Sequence, residues 1–210
     1  MRLVLVRHGQ TDANVRRELD SVPPGAPLNE LGLAQADAAG ERLATHPVTS
    51  VHASRATRAQ QTAAPIAAAH GLDVTVHDGV HEVFVGDLEG RSDREAREHF
   101  DTVYAAWWTG DLDAHLPGGE SAHDLRARYL PVVERITDGV HGDVVLVSHG
   151  AAIRLAAAAL LGDTAETLYV PNTGLVVLVA DPAAPSGWAL DHWDSAVPVP
   201  GDVTAGGTPR

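Results

Sequence analysis

Two runs of branched apolar residues, Val4–Val6 and Val145–Val147, each end in a polar residue followed by His-Gly, giving VLVRHG at Val4–Gly9 and VLVSHG at Val145–Gly150. Neither run alternates apolar with polar positions. Both are therefore expected to be strands buried on two faces, as in parallel sheets flanked by helices. The same pattern predicts strands at Arg2–Val6, Val48–Ala53, Leu72–His77, Asp143–Val147, Gly174–Ala180 and Trp188–Trp193, the last two joined as a hairpin across Pro182–Ser186.

Between the strands the apolar positions fall into a helical period. Asn29 is expected to cap a helix carrying Leu31, Leu33, Ala34, Ala38, Ala39 and Leu43, with Gly32 and Gly40 weakening it. Ser54 is expected to cap a helix running to about His70. A charged amphipathic helix is expected over Ser92–Trp108, a Ser121-capped helix to about Thr137, and a further helix over Ala151–Leu161. The stretch Ser21–Pro27, SVPPGAP, cannot be helix interior because its prolines break the hydrogen-bond ladder.

Strands alternating with helices predict an α/β fold: a three-layer α/β/α sandwich, with a mostly parallel central sheet, helices on both faces and a small helical cap insertion at about residues 90–120. The domain is expected to span residues 1–195. Residues 196–210 carry Pro, Gly and Thr with little to bury and are expected to be a disordered tail.

Length and composition fit that reading. A chain of 210 residues, 44% hydrophobic, suffices for one α/β domain and is short for two. The absence of cysteine removes disulfides, thiol nucleophiles and thiolate metal sites, and fits a cytoplasmic protein. A formal net charge of −13 argues against nucleic-acid and anionic-membrane partners, and no apolar run reaches the roughly 18 residues of a membrane span. The composition is compatible with a homodimer without specifying one.

A buried strand has no need of a histidine at its end. Two such histidines, His8 and His149, are expected side by side at the carboxyl edge of the sheet, where open α/β folds bind ligands. The glycines that follow them allow a sharp turn and a close approach to a bound group. Arg7 beside His8 needs an anionic partner, and Arg58 in the first turn of a helix makes sense when an anion sits between it and the positive helix end. Arg55 reads as solvated. Two guanidiniums and two imidazoles form a cationic cup for a tetrahedral dianion, and phosphate is the natural guest. A neutral imidazole is also a competent nucleophile toward phosphorus, when one nitrogen holds its proton in a hydrogen bond and the other is free to attack. The stretch HEVFV at His81–Val85 fails as a zinc motif, because Val85 stands where HExxH needs a histidine. His77 and His81 are expected to be solvated or hydrogen-bonded.

Five signatures occur in order: RHG at Arg7–Gly9 with Thr11 and Asn14 beyond, SRATRAQQTA at Ser54–Ala63, HEVFVGDLEG at His81–Gly90, PGGES at Pro117–Ser121 and SHG at Ser148–Gly150. Together they resemble the histidine phosphatase superfamily, also called the phosphoglycerate mutase-like family. The resemblance implies that His8 is the nucleophile that becomes phosphohistidine, that Arg7, Arg58 and His149 hold the phosphoryl oxygens, and that Glu82 gives a proton to the leaving oxygen and then assists water. It places Arg7, Asn14, Arg58, His149 and Gly150 on the substrate, and implies neither metal nor cofactor. The expected function is hydrolysis of a small phosphorylated metabolite, a sugar phosphate or a phosphoglycerate derivative. A mutase of the same fold is the alternative. Against it, Ala151 stands where mutase members typically carry asparagine, and the segment between Gly90 and Glu120 looks short for enclosing a bisphosphorylated substrate. A non-catalytic phospho-ligand-binding module is disfavoured because it would have no use for the nucleophile or the acid.

Overall fold

The computed structural model describes residues 1–163 and 168–195. Six strands form one sheet: β1 (Arg2–Arg7), β2 (Val48–Ser54), β3 (Val74–His77), β4 (Asp143–Ser148), β5 (Leu175–Ala180) and β6 (Trp188–Trp193). Their order across the sheet is β3-β2-β4-β1-β5-β6, parallel throughout except for β5, which runs antiparallel to both neighbours. The β5–β6 hairpin closes over the turn expected at Pro182–Ser186. The expected tail at 196–210 lies outside the described residues.

The two non-alternating runs are buried on both faces for a visible reason. From β1, Leu3 and Leu5 point to one side with Val144 and Leu146 of β4, against α5 (Ala122–Thr137) and α6 (Gly150–Leu160). Val4, Val6, Val145 and Val147 point to the other side, against α2 (Glu30–Leu43) and α3 (Thr57–Ala69). Helices therefore cover both faces of a mostly parallel sheet, as expected. Burying each of these side chains contributes about 1.5–3 kcal/mol, so a charged residue at any of them would be costly on either face.

Helix starts follow local chemistry. Thr11 caps α1 (Asp12–Arg16) in a reciprocal box with Asn14, Asn29 Oδ1 accepts from Gly32 N at 2.9 Å, and Ser121 forms a capping box with Asp124. Two expectations shift. The cap helix α4 spans Arg94–Trp108 and is capped by Asp93, so Ser92 lies outside it. Helix α3 begins after Ala56, which makes no side-chain cap; Ser54 is the last residue of β2 and serves another purpose, described below.

Gly32 and Gly40 are close-packing positions rather than mere weaknesses. A Cβ on Gly32 would stand 2.0 Å from the Gln10 carbonyl oxygen, and one on Gly40 would stand 2.9 Å from that of Pro65 in α3. Gly9 answers the same constraint, since its Cβ would lie 2.5 Å from the Gly32 oxygen. The turn after His8 is thus small because a helix presses on it, a reason other than approach to a ligand.

Candidate active site

Strand register brings the two histidines together. Arg7 pairs with Ser148 at the ends of β1 and β4, His8 N donates to the Ser148 carbonyl at 3.0 Å, and the His8 and His149 rings have centroids 5.1 Å apart. His8 is 3% exposed and His149 is sealed. His8 Nδ1 lies 2.7 Å from the Gly9 carbonyl oxygen, which can only accept, so Nδ1 carries the proton and Nε2 keeps its lone pair. The free nitrogen faces Arg58, whose Nε donates to it at 3.1 Å.

Arg58 is buried, and the protein occupies all three of its nitrogens. Its Nη1 pairs with Asp20 Oδ2 at 3.1 Å and its Nη2 donates to the Asp20 carbonyl at 2.8 Å. No local pattern marks Asp20 as the partner of Arg58, because it sits 38 residues away in a polar loop with no motif around it. Arg7 Nη1 donates to Tyr169 Oη at 2.7 Å and to the Val170 carbonyl at 2.8 Å, while its buried Nε has no hydrogen-bond partner. Gly150 lies under this guanidinium, where a Cβ would come within 3.3 Å of Nε. Arg55, by contrast, is an exposed partner of Asp78.

The cleft at this edge is lined by Arg7, His8, Asn14, Arg58 and Glu82, with Glu18, Asp20 and Phe100 of α4 on its walls. His149 and Gly150 sit behind that lining. Asn14 Oδ1 is engaged by Thr11 N at 3.2 Å and Asn172 Nδ2 at 3.3 Å, which leaves its amide N–H groups for a ligand. Asn172 also donates to the His8 carbonyl at 2.9 Å, a support no sequence signal marked.

Glu82 is held by backbone. Its Oε1 accepts from Val83 N and Ala152 N, both at 2.9 Å, and its Oε2 from Ala151 N at 3.2 Å. It thereby caps α6, whose own N-cap residue His149 makes no side-chain cap. The loop carrying Glu82 is clamped from below by Arg128 of α5. This guanidinium donates to the carbonyls of Gly79 (2.7 Å), His81 (3.0 Å) and Glu82 (2.8 Å), and forks onto both carboxylate oxygens of Glu120 at 2.7 Å each. Glu120 in turn accepts from Phe84 N at 2.9 Å. The PGGES stretch is therefore an anchor for the loop that bears Glu82. Sequence patterning could not reveal Arg128, which looks like any helical arginine until its partners are seen.

Electrostatics match a nucleophilic imidazole. Burial first, then Arg58 and Arg7, push the His8 pKa well below the usual histidine range, so the ring is neutral at physiological pH. His81 departs from expectation: it is 9% exposed, tilted against the Phe84 ring with centroids 4.5 Å apart, with neither ring nitrogen hydrogen-bonded, and burial pushes its pKa down to about 4. His77 does find a partner, with its Nε2 2.9 Å from His52 Nδ1. Among the described residues no group of three or more His, Asp or Glu is arranged to hold a metal ion.

A neutral imidazole with one free nitrogen, two arginines and a backbone-held carboxylate can perform phosphoryl transfer, which asks mainly for positioning and positive charge at the equatorial oxygens. Known proteins point the same way. The chain is 32% identical to glucosyl-3-phosphoglycerate phosphatase of Mycolicibacterium vanbaalenii, over 96% of this chain and 98% of that protein. It is 36% identical to a 2,3-bisphosphoglycerate-dependent phosphoglycerate mutase of Methylobacterium, over 79% and 83% of the two chains. Its fold matches the structure of mycobacterial glucosyl-3-phosphoglycerate phosphatase complexed with VO3, with a TM-score of 0.80, 31% identity and coverage of 93% and 99%. The family model of the histidine phosphatase superfamily (branch 1) matches residues 3–195, and the chain belongs to that superfamily.

Proposed function

We propose that the protein is a phosphomonoesterase that hydrolyses a small phosphorylated metabolite of the sugar-phosphate or phosphoglycerate type through a phosphohistidine on His8. The observation that carries this reading is the pair of contacts on one ring, Nδ1 committed to the Gly9 carbonyl and Nε2 turned toward Arg58 at the cleft. In the first step the Nε2 lone pair attacks phosphorus, the bond to the leaving oxygen breaks, and Glu82 supplies that oxygen with a proton. In the second, water attacks the phosphohistidine, Glu82 takes the proton from water, and the P–N bond breaks to return the neutral ring and inorganic phosphate. Arg7, Arg58, Asn14, His149 and Gly150 are assigned to the phosphoryl oxygens, and this charge supports a reaction that needs no metal.

Hydrolysis of phosphorylated metabolites, run with EDTA present, tests the reading. Glucosyl-3-phosphoglycerate belongs first in the panel because two relatives of near-equal length are phosphatases named for it. The mutase reading is kept alive by the Methylobacterium relative, and a product that retains its phosphate would favour it.

We further place the enzyme in the cytoplasm, working without nucleic acid or membrane, which the cysteine-free composition and the charge of −13 support. Among the described residues no helix is long and apolar enough to cross a membrane. A homodimer is the assembly to test, by light scattering.

A further inference from the structure

Ser54, the last residue of β2, is fully buried and its Oγ lies 2.7 Å from His149 Nε2. The same oxygen accepts from Ala56 N at 3.3 Å. A serine hydroxyl has one proton to give and two lone pairs to offer. If Oγ accepted from Nε2–H as well, its own O–H would be buried with no acceptor among the described residues, and the lone pair of His149 Nδ1 would be orphaned too, since Nδ1 has no partner. With the roles reversed, the hydroxyl gives its proton to Nε2, and one group is left unmatched: an N–H at Nδ1. Burial, with Arg58 the next cause, pushes the His149 pKa well below its usual range, so the ring is neutral and has a single proton to place.

We propose that Ser54 is a positioning residue that fixes His149 as the Nδ1–H tautomer, aligning its one buried, unpaired donor for the phosphoryl group carried by His8, whose ring lies 5.1 Å away. A buried donor without an acceptor is unfavourable, so the free enzyme holds a vacant hydrogen bond that the phosphoryl oxygen satisfies. This rests on the phosphohistidine reading for its ligand, while the tautomer itself does not.

The test is long-range 1H–15N NMR of the histidine rings, with His149 assigned by comparison with His149→Gln, together with single-turnover rates of phosphoenzyme formation for wild type, Ser54→Ala and Ser54→Thr. Wild type should show His149 protonated at Nδ1. Ser54→Ala should lose that preference and form phosphoenzyme about tenfold more slowly, the worth of one hydrogen bond aimed at a charged oxygen, and Ser54→Thr should restore both. A wild-type His149 protonated at Nε2 overturns the proposal even if no variant folds. So does a Ser54→Ala protein with the wild-type tautomer and rate. Failure to form any phosphoenzyme, with the Nδ1–H tautomer present, would instead remove the phosphohistidine reading and leave the serine–histidine relation standing.

Discussion

Arg58 Nε donates to the lone pair of His8 Nε2 at 3.1 Å, so in the free enzyme the nitrogen proposed to attack is covered by the guanidinium proposed to bind the phosphate. Asp20 holds the other two nitrogens of that guanidinium. On the proposed mechanism an entering phosphate dianion would compete for Arg58 with a fixed carboxylate and, by drawing Nε away, would uncover the nucleophile. Substrate binding and nucleophile release would then be one event.

Replacing Asp20 by Asn removes the competing negative charge while keeping an oxygen for Arg58. Inhibition by vanadate or inorganic phosphate should become tighter, up to about tenfold, as expected for deleting one like charge near an anion site. Competitive inhibition constants of the two proteins check this, and unchanged constants would separate Asp20 from the anion site.

Glu82→Gln retains the shape but only one acceptor oxygen, so it can keep Val83 N and Ala152 N while giving up Ala151 N, and it has no acidic proton to deliver. Its effect should depend on the leaving group. Alkyl phosphates should slow by about 10²–10⁴-fold, the usual contribution of general acid catalysis, whereas p-nitrophenyl phosphate, whose phenolate leaves unaided, should slow less in the first step. Equal losses on both substrates in phosphoenzyme formation would argue against an acid role.

The histidine shifts give pH dependence a sign. His8 and His149 have folded pKa values well below 6.5, and those of His52 and His81 fall to about 4. The unfolded chain therefore binds protons that the folded protein refuses. Stability is fully present above pH 6.5 and is lost progressively as pH falls toward about 4 and below. Urea midpoints should decline from pH 7 to 5, and an NMR titration of His8 should stay flat through 6.5. A His8 midpoint near 6.5 would contradict the neutral buried nucleophile.

Arg128→Ala should strip three carbonyls and Glu120 of their common partner. Breaking such a largely buried pair costs about 3 kcal/mol, and the loop that presents Glu82 loses its anchor, so kcat should fall with it. Denaturant unfolding and kinetics measure the two effects, and Arg128→Ala combined with Glu120→Gln should be less harmful than the sum of the single changes.

Much of this site is legible in the sequence because buried strands announce themselves. A run such as VLV followed by His-Gly has little reason to exist except at a sheet edge, and His8, His149 and Arg58 fall where that logic places them. Glu82 also reaches the cleft, but two of its three backbone donors could not be anticipated, since they come from a helix about 70 residues away. The illegible part is side-chain partnership between distant segments. Ser54 looks like a helix cap because it precedes a helical stretch, yet its hydroxyl serves His149, 95 residues on. Asp20, Asn172 and Arg128 carry no local pattern, because a polar residue's partner is set by the folded topology and only its type is written in the chain.

The central claim is that His8 carries the phosphoryl group, and rapid quench with 32P-labelled substrate, followed by peptide mapping, tests it most directly. An acid-labile, alkali-stable label on His8 that is absent from His8→Asn is the predicted result. Absence of a protein-bound label under single-turnover conditions, or normal turnover by His8→Ala, would contradict it.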